Sequence, residues 1–294
     1  MKRRLTLEKR RNIVSWFFIL PATLLVASMS FYPMIKAFFL SFTTGFGKAQ
    51  KFVGLYNYQR LLQDSLFKTS LSNTLIYLVL QVPLMLLLAL LLASLLNNPK
   101  LKFKGLFRTA IFLPCATSLV SYSIIFRSMF ALDGFINSVL MNLHIISTPI
   151  NWIGQTWPAR IIIVVAITWR WTGYNMIFYL SGLQNIDPQV YEAARIDGAS
   201  PFKQFSKITV PLLKPIILLT AIMSTNGTLQ LFDETMNLTN GGPANMTMSI
   251  SQYIYRLSFQ FSPQFGYAAT ISYIVFIIVA ILAFLQMKVG DRRD

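Results

Sequence analysis

Two clusters of polar and aromatic residues stand out because their surroundings are apolar. The first is Trp169-Arg170-Trp171-Thr172-Gly173-Tyr174-Asn175. On a helix, residues four apart are neighbours, so Arg170 shares a face with Tyr174, and Trp171 with Asn175. The second comprises Ser224, Asn226, Gly227, Thr228, Gln230, Asp233 and Glu234. Asn226, Gln230 and either Asp233 or Glu234 fall along one stripe, and Gly227 loosens the helix between them. These side chains suit reversible binding rather than bond making. Aromatic faces stack on the apolar faces of a sugar-like ring, while amides and charges take its hydroxyls. Polar groups inside apolar helices are expensive, so they usually mark a solute pathway or a mutual pair. The same residues fit other accounts. Tryptophan and tyrosine also form interfacial belts. Asp233 and Glu234 also fit an outer membrane surface, and Arg170 also fits a pair with one of them or with a neighbouring subunit.

Covalent chemistry finds no support. Cys115 is the lone cysteine and lies in an apolar run. The lone histidine, His144, has no cysteine or carboxylate cluster beside it. Neither a disulfide framework, a metal site nor a catalytic triad can be built from them. The chain has no G-x-x-x-x-G-K-[ST] loop, so no ATP site is expected on it.

The elements that must position the clusters are membrane spans. Hydrophobic residues make up 54% of the 294 residues and charged residues 12%. An ordinary soluble domain carries about 25% charged residues, so much of this surface must face something other than water. A spanning helix needs about 20 mostly apolar residues. Six stretches qualify: 13–42, 71–96, 106–126, 161–180, 212–232 and 267–287. An all-α integral membrane protein with six transmembrane helices in a single domain over 1–294 is expected. Pro21, Pro83 and Pro114 interrupt three of the spans, which is tolerated where neighbouring helices satisfy the freed carbonyls. The basic run Lys2–Arg11 followed by so long an apolar stretch reads as a retained first helix rather than a signal peptide.

The formal net charge is +16, from 26 basic and 10 acidic residues. Lysines and arginines concentrate on one side of the membrane. That side takes Lys2, Arg3, Arg4, Lys9, Arg10 and Arg11, then Lys100, Lys102, Lys104 and Arg108. It also takes Arg195, Lys203, Lys207 and Lys214, then Lys288, Arg292 and Arg293. The other side takes Lys48, Lys51, Arg60, Lys68, Arg127, Arg160 and Arg256, and Lys36 and Arg170 lie within spans. The imbalance puts both termini in the cytoplasm. It also accounts for the basic charge by contact with anionic headgroups, so no nucleic-acid partner is needed.

The loop over 185–211 is the most informative stretch. Asp187 caps a helix that starts at Pro188. Gly198 ends it with a positive φ. Ser200 caps a second helix with Pro201 first, and Pro211 ends that one. A compact helix–turn–helix is expected, with a nearly bare turn at Gly198-Ala199-Ser200.

Glu192-Ala193-Ala194, three residues, Gly198, nine residues, then Ile208-x-Val210-Pro211 resembles the E-A-A-x3-G-x9-I-x-L-P signature of ATP-binding-cassette importer permeases. Val210 in place of leucine is the one departure. Four further segments narrow the likeness: Phe52-Val53-Gly54-Leu55-Tyr56-Asn57-Tyr58, Arg108-Thr109-Ala110-Ile111-Phe112-Leu113-Pro114, Gly134-Phe135-Ile136-Asn137 and Leu238-Thr239-Asn240-Gly241-Gly242-Pro243. With them, nearly the whole chain is similar to the carbohydrate-uptake permeases related to the maltose importer. It is similar to the larger partner of the permease pair, in a short form.

The resemblance implies a type I ABC importer permease fold in a bacterial cell membrane. It implies a heterodimer with a second, homologous permease. It also implies two ATP-binding subunits that hold ATP-Mg, and an extracellular or periplasmic solute-binding protein that delivers the sugar. This chain would bind no cofactor and would not be an enzyme. Glu192, Ala193, Ala194, Asp197, Gly198, Ala199, Ser200 and Pro201 would couple it to an ATP-binding subunit, with Glu192 in a charged contact. The substrate pathway would use Trp169, Arg170, Trp171, Tyr174 and Asn175 of the fourth span. From the fifth it would use Asn226, Thr228, Gln230, Asp233 and Glu234. A di- or oligosaccharide is expected. The alternatives are glycerol phosphate or another polar solute on a permease of the same superfamily, and an ion-coupled secondary transporter.

Overall fold

The computed structural model describes residues 7–290. Lys2, Arg3, Arg4, Arg292 and Arg293 lie outside the described residues.

The chain begins with α1 (Leu7–Val26), a π-helical turn at Ala27–Phe31 and α2 (Tyr32–Ser41). Within these, Val14–Ser41 is one apolar helix of mean hydropathy 1.8. A short antiparallel pair follows, β1 (Thr43–Thr44) with β2 (Lys51–Phe52), and then α3 (Tyr56–Gln63). The membrane-length helix α4 spans Ser65–Leu96. Next come α5 (Lys104–Ala116), α6 (Leu119–Met129), α7 (Phe135–Asn142) and α8 (Thr156–Gln184). The loop helices are α9 (Pro188–Ile196), α10 (Pro201–Gln204), a π-helical segment at Phe205–Thr209 and α11 (Val210–Leu212). The chain closes with α12 (Lys214–Leu229), α13 (Ile250–Tyr255) and α14 (Phe265–Gly290).

Four helices among the described residues are long and apolar enough to cross a membrane, and there are six if each of two bent pairs counts as one span. The interruption expected at Pro114 is a sharp turn a few residues further on, and the fifth span is bent away from the segment that precedes it. The stretch expected over 106–126 is α5 and α6, turned by 99° at Thr117-Ser118. The stretch expected from 212 is α12, which leaves the helical segment Pro201–Leu212 at 69°. Pro211 does not end the loop's second helix, which runs on to Leu212. The wide π turn just before it leaves room for a ring that would otherwise press on the carbonyl one turn back. Pro33 follows the Ala27–Phe31 turn at the same spacing.

Two compact units divide the chain. In the unit that holds residues 7–63 and 254–274, Asn57 holds the end of α2. Its buried amide donates to the carbonyls of Ser41 and Thr43, both at 2.8 Å. The Tyr58 hydroxyl meets Ser41 Oγ at 2.9 Å. Arg60 lies 4.1 Å over the ring of Tyr267 and donates to Gln264 at 2.7 Å. These contacts explain the Phe52–Tyr58 segment as a tether.

In the unit that holds residues 64–253 and 275–290, α8 is the central helix, with 61% of its membrane-length window buried. Asp64 caps α4, accepting from the backbone N–H groups of Leu66 and Phe67. Tyr77, Ile163, Ala166 and Ile167 pack with Tyr122, Phe126, Leu231 and Leu238. Further along, Ala89, Leu90 and Ala93 pack with Met176, Tyr179, Leu183 and Leu213. Lipid gives helices no hydrophobic reason to associate, so small residues that let backbones approach do the work. Gly173 is such a residue: a Cβ there would sit 2.0 Å from the Ile111 carbonyl oxygen of α5.

Two loop segments singled out in the sequence prove to be organised by buried polar residues. Asn137 donates to the carbonyls of Ala131, Leu132 and Ile150, and accepts from Ile150 N and Trp152 Nε1. Arg160, counted by its charge on the outer side, is buried. It donates to Asn73 Oδ1 at 2.7 Å and to the Met246 carbonyl at 3.1 Å. Asn73 in turn donates to the carbonyls of Asn245 and Met248. Together they fasten the segment after Leu238–Pro243 to α4 and α8.

Candidate functional site

A cavity of about 520 Å³ opens between α4, α8 and α12. From α8 come Ile167, Trp171, Tyr174 and Asn175, and from α12 Met223, Ser224, Gly227 and Thr228. The segment after α12 adds Gln230, Leu231, Phe232, Asp233 and Glu234, and α4 adds Gln81 and Met85. Its size suits a small organic ligand, since such pockets run from about 300 to 1,000 Å³. The Trp171 and Tyr174 rings stand edge to face, with centroids 5.7 Å apart. Gly227 has nothing within 4 Å of where its Cβ would be, so this position adds free space.

Seven residues expected on the pathway line this cavity: Trp171, Tyr174, Asn175, Thr228, Gln230, Asp233 and Glu234. Three do not. Trp169 packs against α6, with its ring 5.4 Å from that of Phe126. Asn226 is exposed, and its Oδ1 accepts from Gln230 Nε2 at 2.6 Å. Arg170 is only 6% exposed and turns to the end of α5. Its guanidinium donates to the carbonyls of Pro114 (3.3 Å), Cys115 (3.3 Å) and Thr117 (2.9 Å). The last carbonyls of a helix lack partners and carry negative partial charge, so a cation fits there. Arg170 therefore stabilises the break between α5 and α6, and its hydrogen bonds go to backbone rather than to Asp233 or Glu234. Gln81 and Met85 were missed by sequence reasoning. The available signal was an amide in the middle of an apolar helix, two residues before Pro83.

The loop over 185–211 forms a second feature. Asp187 Oδ1 accepts from Gln189 N at 2.9 Å. At the other end of α9, Ala199 N bonds to the Ala194 carbonyl and Gly198 N to that of Arg195. With Gly198 at φ +72°, this is a Schellman cap. Ser200 Oγ then accepts from Lys203 N. Glu192, Ala193, Asp197, Gly198, Ser200 and Pro201 are exposed, and Ala194 and Ala199 are half-buried. Ile196 and Phe202 flank the turn at 87% and 78% exposure.

Residues 65–291 match the family model described as the binding-protein-dependent transport system inner membrane component. The chain belongs to that family. The permease is 51% identical over 292 residues to the lactose transport system permease protein LacF of Rhizobium radiobacter, covering 99% of this chain and 98% of the relative. It is 33% identical over 298 residues to the arabinooligosaccharides transport system permease protein AraP of Halalkalibacterium halodurans, covering 99% and 93%. Its fold matches a chain of a bacterial alginate ABC transporter, solved in complex with alginate pentasaccharide-bound periplasmic protein. There the TM-score is 0.86, identity is 22%, and 99% and 98% of the two chains are covered. The permease is thus a membrane transport subunit with the importer fold, not an enzyme. Its family membership sets aside the ion-coupled secondary transporter.

Proposed function

We propose that the permease forms half of the passage by which an ATP-driven importer moves a di- or oligosaccharide across the bacterial inner membrane. The observation that carries this is the lining of the cavity. Trp171 and Tyr174 offer ring faces, and Gln81, Asn175, Thr228 and Gln230 offer hydrogen bonds. Sugars need that combination, an apolar face to stack on and donors and acceptors around the rim. Asp233 adds negative charge, which favours a neutral solute over an anion such as glycerol phosphate. The names of the lactose and arabinooligosaccharide relatives agree with this substrate class.

In this reading a second, homologous permease completes the passage. A solute-binding protein delivers the sugar from outside, and two ATP-binding subunits hold and hydrolyse ATP-Mg on the cytoplasmic side, where both termini lie. The turn at Gly198 seats on one of those subunits. Ile196 and Phe202 supply apolar contact, and Glu192 supplies a charge for a basic partner. Closure of the ATP-bound pair moves the two loops together and switches the passage from inward-facing to outward-facing.

The test is uptake of a labelled panel containing lactose, maltose, trehalose, arabinotriose and glycerol 3-phosphate by cells carrying the whole system. ATP-dependent uptake of a di- or trisaccharide is expected. Uptake of glycerol phosphate alone would overturn the substrate reading.

A further inference from the structure

Among the described residues, the buried amides of Asn57, Asn73 and Asn137 are spent on strong partners. Asn57 gives both N–H groups to carbonyls at 2.8 Å. Asn137 uses its amide on three carbonyls and its oxygen on two N–H donors. Gln81 differs. It is 1% exposed, yet its Nε2 donates to the thioether of Met85 at 3.0 Å. Asn175 Nδ2 meets the same sulfur at 3.6 Å and the Trp171 carbonyl at 3.0 Å. A thioether is a weak acceptor, and each amide carries two N–H donors. Two amides thus converge on one poor partner, although buried polar groups are ordinarily hydrogen-bonded well.

The acceptor side is underused as well. Gln81 Oε1 accepts from Thr228 Oγ1 at 3.1 Å. That hydroxyl has a single proton, which also reaches the Ser224 carbonyl at 2.9 Å. Gln252 also places its amide on a thioether, Met236 Sδ at 3.4 Å, but does not line this cavity. Gln81 lines one, beside the Trp171 and Tyr174 rings.

We infer that Gln81 is a specificity-determining residue for the transported sugar. With Asn175 it forms a deep subsite for one hydroxyl, and Met85 occupies the amides while the site is empty. The hydroxyl accepts from Gln81 Nε2 and donates to Gln81 Oε1, and the flexible methionine side chain moves aside. This rests on the sugar-passage reading given above and adds a residue from α4 to it.

The experiment is ATP-dependent uptake by the whole system of the disaccharide selected in the panel, lactose first, and of its monodeoxy analogues. The parent transporter should discriminate against one deoxy position more than the others. In Gln81→Leu that discrimination should collapse by about tenfold, the worth of one good hydrogen bond. The ratios at the other positions should hold. If Gln81→Leu fails to assemble, Gln81→Asn, one methylene shorter, should show the same selective collapse. Equal loss for every analogue in the variant that assembles would mean a structural role and would overturn the subsite alone. Failure of the parent to carry any sugar would overturn the passage reading and the subsite with it.

Discussion

Replacing Gly173 by alanine isolates what holds α5 against α8. The new Cβ would lie 2.0 Å from the Ile111 carbonyl oxygen, 2.7 Å from its carbon and 2.9 Å from Phe112 Cα. All three are backbone atoms, so no side chain can turn aside. Ordinary contact begins at 3.4 Å, and the helices must part by about 1.4 Å (3.4 minus 2.0). A shift of that size would take Arg170 out of reach of Thr117, whose carbonyl now lies at 2.9 Å. Overpacking costs about 1–3 kcal/mol. Losing a hydrogen bond to a charged group adds about 1.5–3 kcal/mol. A total near 3 kcal/mol lowers the unfolding midpoint by about 6 °C or more. The assay is thermal unfolding of the detergent-solubilised transporter, followed by size-exclusion chromatography. Gly227→Ala is the matched control, because its Cβ meets nothing within 4 Å. Its midpoint should hold or rise, since alanine is about 1 kcal/mol better than glycine inside a helix. Equal midpoints for Gly173→Ala and the parent would refute the account of α5–α8 packing.

Substitutions at three other positions probe further features. Gly198→Asp puts a side chain at φ +72° on the bare turn. Membrane insertion should be normal while ATP-coupled uptake is lost, and normal uptake would contradict a docking role for that turn. Arg170→Met removes the donor to three carbonyls, so stability and uptake should fall together. Arg170→Lys should restore only part, because a single ammonium cannot replace a planar fork. Asn137→Asp deletes the donors to Ala131, Leu132 and Ile150 and buries a carboxylate among carbonyls. It should cost about 3 kcal/mol or more, read as a lower midpoint, and a parental midpoint would count against it.

Local signals carried most of what was legible in the sequence. The apolar lengths located the spans because lipid demands about 20 such residues. Asp187, Gly198 and Ser200 marked the loop helices because caps are set by their immediate neighbours. What stayed hidden depends on distant partners. Pro114 announced a weak point, but the 99° turn is held by Arg170, which the chain brings back from α8. Arg160 carried no sign in the sequence that α4 and the Met246 carbonyl would enclose it. Trp169 and Trp171 have identical side chains two residues apart, and only the packing of α6 sets one against the Phe126 ring and leaves the other to the cavity. Pro211 read as a stop because the sequence gives no sign of a π turn that absorbs the ring.

The loop over 185–211 has a mechanical consequence. Its joints are closed from within: the caps at Asp187 and Ser200, the turn at Gly198, the Gln204 bond to the Ala199 carbonyl and the Tyr191–Thr209 hydroxyl pair. A piece already stiff has little freedom left to lose on docking. In the docking role proposed above it would work as a crank rather than a rope, and a push on its tip would not be absorbed by unfolding. The crank meets α12 at the 69° elbow beside Leu213, which is buried against α8, where a Cβ on Gly182 would lie 2.7 Å from it. With its elbow seated against that helix, a small displacement at Gly198 would, in that role, become a rotation of the helix that lines the cavity.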